Sequence, residues 1–134
     1  MKLGGYFIDA KTGRTQLPMV LNPSTLDVDN VITQFSNKNG VVCMSVEPAP
    51  DIGSYELVLY ADSGNFLLML SKYLDDGGHE VDSITNYKAE RAMVDILGDY
   101  YPANTMTKDI SFICNCFKVF LEQGNIPPEF LVIN

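Results

Sequence analysis

Two apolar runs joined by a turn sequence lie at the centre of this chain. Tyr55 to Ala61 and Phe66 to Tyr73 are rich in residues that favour strands, and Asp62 to Asn65 between them has the composition of a four-residue hairpin loop. Alternate positions make one face of both runs apolar, and the other face is partly apolar as well. We therefore expect a hairpin at the centre of a sheet that is covered on much of both faces.

The residues before this hairpin predict a strand, a helix and a second strand. Leu3 to Asp9 has the pattern of a short strand. Ser24 precedes Asp27 by three residues, which is the spacing of a capping box, and apolar residues then recur at helical spacing as far as Asn37. Val41 to Glu47 is rich in β-branched residues and is followed by prolines, which are poor residues for extending a strand.

The residues after the hairpin predict two more strands and a second helix. Val81 to Tyr87 has the composition of a strand, and Ala89 to Leu97 fits either a helix or a strand, of which we favour the strand. From Thr107 or Asp109 onward, apolar residues repeat on one helical face as far as Gly124, where a C-cap glycine belongs. The short apolar tail, Phe130 to Ile133, is expected to dock on the body of the protein.

The order of these elements indicates an α+β fold, with an antiparallel meander sheet packed against an N-terminal and a C-terminal helix. A chain of 134 residues has the length of one compact domain, so residues 1–134 are expected to form a single domain. No apolar run approaches the roughly 18 residues of a membrane span. Residues 4–9 include two glycines and an aspartate where a secretory signal would be apolar, and we therefore expect a cytoplasmic protein.

The charge of the chain excludes one class of partner. Seventeen acidic residues against nine basic ones give a formal net charge of −8. Nucleic-acid binding requires clustered lysines and arginines that neutralise phosphates. We therefore expect neither direct nucleic-acid binding nor membrane insertion.

Few residues are available for catalysis or for a metal site. His79 is the sole histidine, and it lies in a glycine-containing acidic turn, where a solvated side chain is the usual case. A zinc site with four Cys or His ligands would consume Cys43, Cys114, Cys116 and His79 together, although they are scattered along the chain. The sequence contains no glycine-rich phosphate loop. We expect no metal, no cofactor and no enzymatic activity.

The acidic residues are concentrated in one part of the chain. Residues 75–99 contain seven acids and two bases, which accounts for −5 of the net charge. Clustered carboxylates create a negative potential that speeds encounter with a basic partner. An acidic loop can also do no more than keep a protein dissolved, and the sequence leaves both interpretations open.

The combination of these features resembles a known group of proteins. The chain is small and acidic, begins with a glycine-containing strand (Leu3 to Asp9), continues through a helix and a meander (Tyr55 to Tyr60 with Phe66 to Leu70), and ends in a helix closed by Phe120 to Gly124. In length, charge and architecture it resembles the immunity proteins of bacterial polymorphic toxin systems, including contact-dependent growth inhibition.

The resemblance implies a non-enzymatic antidote that binds a cognate toxin domain, commonly a nuclease, and masks its active site. A nuclease must be basic to hold phosphates, so an acidic inhibitor can take the place of the nucleic acid. Tyrosines beside the acids would serve as interface anchors. The expected partner-binding residues are Asp75, Asp76, Glu80, Asp82, Tyr73 and Tyr87.

Two alternatives belong to other functional classes. The first is a small-ligand-binding or enzymatic α+β domain, with a pocket beside the central hairpin that uses Tyr55, Tyr60 or His79. The second is a homo-oligomer that associates through an exposed sheet edge or through Phe130 to Ile133. A closed pocket with convergent polar groups would favour the first alternative over the antidote.

Overall fold

The structure, a computed structural model, describes residues 1–134. In chain order its elements are β1 (Lys2–Asp9), β2 (Gly13–Gln16), β3 (Val20–Leu21), α1 (Thr25–Thr33), β4 (Asn39–Ser45), β5 (Gly53–Asp62), β6 (Asn65–Tyr73), β7 (His79–Asp82), β8 (Thr85–Asn86), β9 (Met93–Ile96), β10 (Asp99–Pro102), β11 (Met106–Thr107), α2 (Ile110–Gln123) and β12 (Val132–Ile133). Short 3₁₀ turns occupy Gln34–Asn37, Ala103–Thr105 and Pro128–Leu131. The protein is therefore of mixed α and β type, with a mostly antiparallel sheet and two helices.

Eight strands form the main sheet. Its spatial order is β11, β6, β5, β4, β1, β2; β3 pairs with β1 beside β2, and β7 pairs with β6 beside β11. All of these pairings are antiparallel. Strands β9 and β10 form a separate antiparallel hairpin, and β8 pairs with β12 in parallel. The order places the β5–β6 hairpin inside the sheet, as predicted.

The β5–β6 hairpin is covered on both faces. On one face, which we call the helix face, its residues join a core of 20 buried side chains that includes Phe35, Phe117 and Phe120 from the helical segments. On the other, which we call the hairpin face, Leu67 packs with Ile96 and Met106 beneath β9 and β10. The predicted cover on both faces is confirmed.

The turn of this hairpin is shorter than expected. Two residues, Ser63 and Gly64, connect the strands, and both have positive φ angles, 51° and 78°. Turns with two positive φ angles match the right-handed twist of the flanking strands, so pairing continues to Asp62 and Asn65. The prediction of a four-residue loop is therefore wrong.

Helix α1 begins at its predicted cap and α2 begins and ends where predicted, whereas the α-helical part of α1 stops at Thr33, short of the predicted Asn37. Ser24 Oγ accepts a hydrogen bond from the Asp27 amide at 3.1 Å, and the Asp27 carboxylate accepts one from the Ser24 amide at 2.8 Å, which completes the capping box of α1. Asp109 caps the first amides of α2, and Gly124 closes it with a left-handed φ of 69°. An ion pair of 2.8 Å joins Lys118 of α2 to Asp29 of α1.

The segment after β6 departs most from expectation. The predicted strand from Val81 to Tyr87 is wrong, because β7 ends at Asp82 and the chain turns so that Ile84 enters the core. Residues 85–86 then form β8, which pairs with the tail. Of the strand favoured over Ala89 to Leu97, only Met93–Ile96 is extended and paired. The tail docks as predicted, with Leu131 buried.

Two adjacent glycines in β1 differ in the space around them, and this yields a stability test. A Cβ at Gly5 would overlap the carbonyl oxygen of Val41 and lie 3.1 Å from the Val42 Cα, whereas a Cβ at Gly4 would make an ordinary contact of 3.5 Å with Met19. We expect Gly5→Ala to lower the free energy of unfolding by about 1–3 kcal/mol, since the backbone must shift. Urea denaturation measures this, and Gly4→Ala, with a change of less than about 0.5 kcal/mol, is the matched control. Equal effects at the two positions would contradict the packing described.

Candidate functional site

The predicted acidic residues lie together on the β6–β7 hairpin, which forms part of one edge of the main sheet. Asp75 and Asp76 occupy its turn and are exposed. The turn is closed by a hydrogen bond of 2.8 Å from the Leu74 amide to the Gly78 carbonyl. Asp76 Oδ1 also accepts a hydrogen bond of 2.8 Å from the Gly78 amide. The turn therefore holds two carboxylates in solvent on a defined backbone.

The other two acids lie on β7 and differ in their surroundings. In the register of the hairpin, Glu80 is opposite Lys72 and Asp82 is opposite Leu70, so both acids point to the helix face of the sheet. The Asp82 carboxylate forms an ion pair of 2.9 Å with Lys72, whereas Glu80 is exposed and forms none. Three unpaired carboxylates, those of Asp75, Asp76 and Glu80, therefore remain for a partner. We call these three residues the acidic surface.

The two predicted tyrosines are far apart. Tyr73 ends β6 next to the acidic surface, where its ring stacks on Tyr55 with centroids 4.1 Å apart. Tyr87 is 72% exposed and follows Asn86, whose side chain donates a hydrogen bond to the Met106 carbonyl near the start of β6. About 20 Å of strand separates these two ends of β6. Only Tyr73 therefore adjoins the acidic surface.

The side chains of the alternative pocket do not converge. Tyr55 is engaged in its stack with Tyr73, Tyr60 packs with the buried cluster on the hairpin face, and His79 is exposed on β7. Burial raises the pKa of the Tyr60 phenol. Tyr60 lies opposite Leu67 near the start of β6, whereas Tyr55 and His79 lie beside Tyr73 at its other end, so the three side chains are not brought together.

A second polar region, which no sequence pattern predicted, lies at the other end of β6. A cleft of about 440 Å³ is lined by Asn65, Lys88 and Lys108, and a neighbouring one of about 590 Å³ is lined by Tyr87 and Arg91. Residues 86–92 contribute to both, and we call these the first and second cleft. Lys88 and Arg91 belong to residues 75–99, whose total charge is negative, and Lys108 follows them by 17 residues or more. No local pattern therefore predicted that these three cations would lie around the same pair of clefts.

The cysteines do not form a metal site. No three side chains of His, Cys, Asp or Glu are placed to share a metal ion. Cys43 is half-buried on the hairpin face; burial and then the negative charge of Glu56 raise its pKa to about 12. Burial alone raises the pKa of Cys116 to about 12 and is the main cause of a smaller rise at Cys114. All three thiols are therefore protonated near neutral pH.

Comparison with known proteins places this α+β chain in a family. Residues 1–130 match the family of unknown function DUF6911, and the chain belongs to that family. A hypothetical protein from Neisseria gonorrhoeae, known from a crystal structure, is similar in fold, with a TM-score of 0.84 and 30% sequence identity. The match covers 92% of this chain and 88% of that one. No curated protein matches the chain. Neither helix is long and apolar enough to cross a membrane.

The raised thiol pKa values predict slow cysteine chemistry in the folded protein. At pH 8 we expect iodoacetamide to modify Cys43 and Cys116 far more slowly in the native state than in urea, as mass spectrometry of the peptides would measure. Cys43 and Cys116 have a pKa near 9.0 in the unfolded chain and near 12 in the folded protein, so folding favours their protonated form. Their contribution to the free energy of unfolding is therefore complete below pH 9 and is lost as the pH rises toward 12.

A substitution beside one thiol provides the control for this prediction. Glu56→Gln removes a negative charge that raises the pKa of Cys43, whereas the pKa of Cys116 depends on burial alone. We expect faster modification of Cys43 in this variant and an unchanged rate at Cys116. If Glu56→Gln left the modification rate of Cys43 unchanged, or if the native thiols reacted as fast as those in urea, the burial and charge assigned to these cysteines would be contradicted.

Proposed function

We propose that this protein is an immunity protein of a bacterial toxin system, which binds a basic toxin domain, a nuclease by preference, and masks its active site. In this proposal it acts in the cytoplasm, performs no catalysis, needs no cofactor, and contacts neither nucleic acid nor membrane directly. The observation that carries the proposal is the position of Asp75, Asp76 and Glu80 as three exposed, unpaired carboxylates on one hairpin.

The electrostatics of the hairpin support this proposal. Nuclease clefts hold phosphates with lysine and arginine, and carboxylates form strong charge-assisted hydrogen bonds with the same side chains. The turn projects Asp75 and Asp76 beyond the last residue of β6, so that they can enter a concave site before the rest of the sheet makes contact. Such a surface speeds association with a cationic cleft more than it strengthens the final complex.

The neighbouring side chains support the hairpin as an interface. The ion pair with Lys72 neutralises Asp82, so Asp82 is the predicted acid that is least available to a partner. Tyr73 is 37% exposed and its ring is held against Tyr55, which limits the rotamer entropy lost on binding. Rigid aromatic side chains next to charges are common interface anchors. Tyr87, which we also predicted to bind the partner, lies outside this surface.

The test compares two variants that lose the same charge. Asp75→Asn, Asp76→Asn and Glu80→Gln together remove the acidic surface, and Asp99→Asn, Glu122→Gln and Glu129→Gln together remove three exposed acids elsewhere. The probe is the carboxy-terminal domain encoded by the reading frame directly upstream of this gene, which the proposal expects to be the toxin. We expect the first variant to associate about tenfold more slowly at low salt, because steering is lost, and the second to change little.

Two readouts separate the possible failures. Stopped-flow fluorescence at low and high salt measures the association rate, and growth of cells that express the toxin domain measures protection. Equal association of the two triple variants would show that the acidic surface is not the interface. Failure of the parent protein to bind the domain or protect the cells would overturn the immunity function itself.

A further inference from the structure

The basic side chains of this acidic chain are not all paired. Of nine, three form ion pairs with carboxylates: Lys2 with Glu47, Lys72 with Asp82 and Lys118 with Asp29. Two more lie over aromatic rings, Arg14 over Tyr6 at 3.9 Å and Lys38 over Phe7 at 4.3 Å. The remaining four are Lys11, Lys88, Arg91 and Lys108. With carboxylates nearly twice as numerous as cations, a group of unpaired cations in one place needs an explanation.

Three of these four cations lie around the first and second clefts. Lys88 and Lys108 line the first, and Arg91 lines the second. They come from two separate parts of the chain, the 86–92 segment and the residue before the Asp109 cap of α2. Glu90 lines both clefts, but it forms no ion pair with any of the three. The fold therefore brings three cations together around one carboxylate, and none of the three is held in an ion pair.

The backbone around the clefts is held in place. The Asn86 side chain donates to the Met106 carbonyl at 3.0 Å and accepts from the Lys88 amide at 3.0 Å. The Ala103 amide donates to the Ala92 carbonyl at 2.9 Å, which fixes the far end of the segment. A segment tied at both ends offers a preformed surface, and a preformed surface lowers the entropic cost of binding.

We propose that the first cleft, with the adjoining part of the second, binds a small organic anion that carries an apolar group. Lys88 and Lys108 would meet the anionic end, and the amides of Asn65 and Asn86 line the same cleft. Alanine, valine and methionine side chains supply an apolar wall, and volumes of about 440 and 590 Å³ fall within the range of ligand sites. The Glu90 carboxylate disfavours multiply charged ligands, so we expect a single anionic group.

The test uses a matched pair of probes on the full chain. Benzoate has one anionic group on an apolar ring, and benzamide has the same shape without the charge. In a titration followed by ¹H–¹⁵N NMR, we expect benzoate to shift the amides of residues 86–92 and 103–108 in a saturable way. Benzamide should bind at least about fivefold more weakly, since a neutral amide has no charge–charge attraction to the lysines.

A set of lysine variants locates the site. Lys88→Gln with Lys108→Gln should weaken benzoate binding about fivefold or more, whereas Lys11→Gln, at the unpaired lysine outside the clefts, should leave it unchanged. Absence of a saturable shift at these amides, equal binding of benzoate and benzamide, or equal loss in the Lys11 control would each overturn the proposal. None of these substitutions touches the acidic surface, so the outcome is independent of the immunity function.

Discussion

Pairing between β5 and β6 is the interaction on which the rest of the structure depends. These are the longest strands, they are joined by a turn of only two residues, and their register holds from Asp62 and Asn65 to Leu57 and Leu70 without interruption. A slip of one residue would exchange the two faces. Both faces bear buried side chains, so a slip would disrupt the core under the helices and the cluster under β9 and β10 together. The hairpin therefore specifies its own register and that of its neighbours.

The outer edge of β6 determines where the two candidate sites lie. Strand β11 pairs with its first residues, Phe66 and Leu67, and β7 pairs with its last, from Leu70 to Tyr73. The acidic surface is built on β7, and the cationic clefts are built around β11 and the 86–92 segment. Residues 75–99 have a strongly negative total charge in sequence, but the fold divides them into an acidic end and an end with unpaired cations.

Local chemistry explains which parts of the structure the sequence could predict. The capping box at Ser24, the β5–β6 strands and the C-cap at Gly124 depend on residues close in the chain, and these predictions are confirmed. Partners distant in sequence decided the rest. Strand β8 exists because the tail pairs with it. Strand β2 is exposed and lacks the hydrophobic alternation by which a strand is predicted. Asp82 is neutralised by Lys72 from the preceding strand. Lys108 likewise reaches the first cleft only through the tertiary fold.

The distance between the two sites makes them electrostatically independent. About 20 Å of strand separates the ends of β6, whereas the Debye length at physiological ionic strength is about 8 Å. Charges on the surface more than two Debye lengths apart are largely screened from one another. An anion bound at the clefts would therefore leave the field at Asp75 and Asp76 almost unchanged, and a basic partner on the acidic hairpin would not weaken the attraction of Lys88 and Lys108 for an anion. One small fold can thus present surfaces of opposite charge to different ligands, because the β5–β6 pair holds them at opposite ends of the same edge.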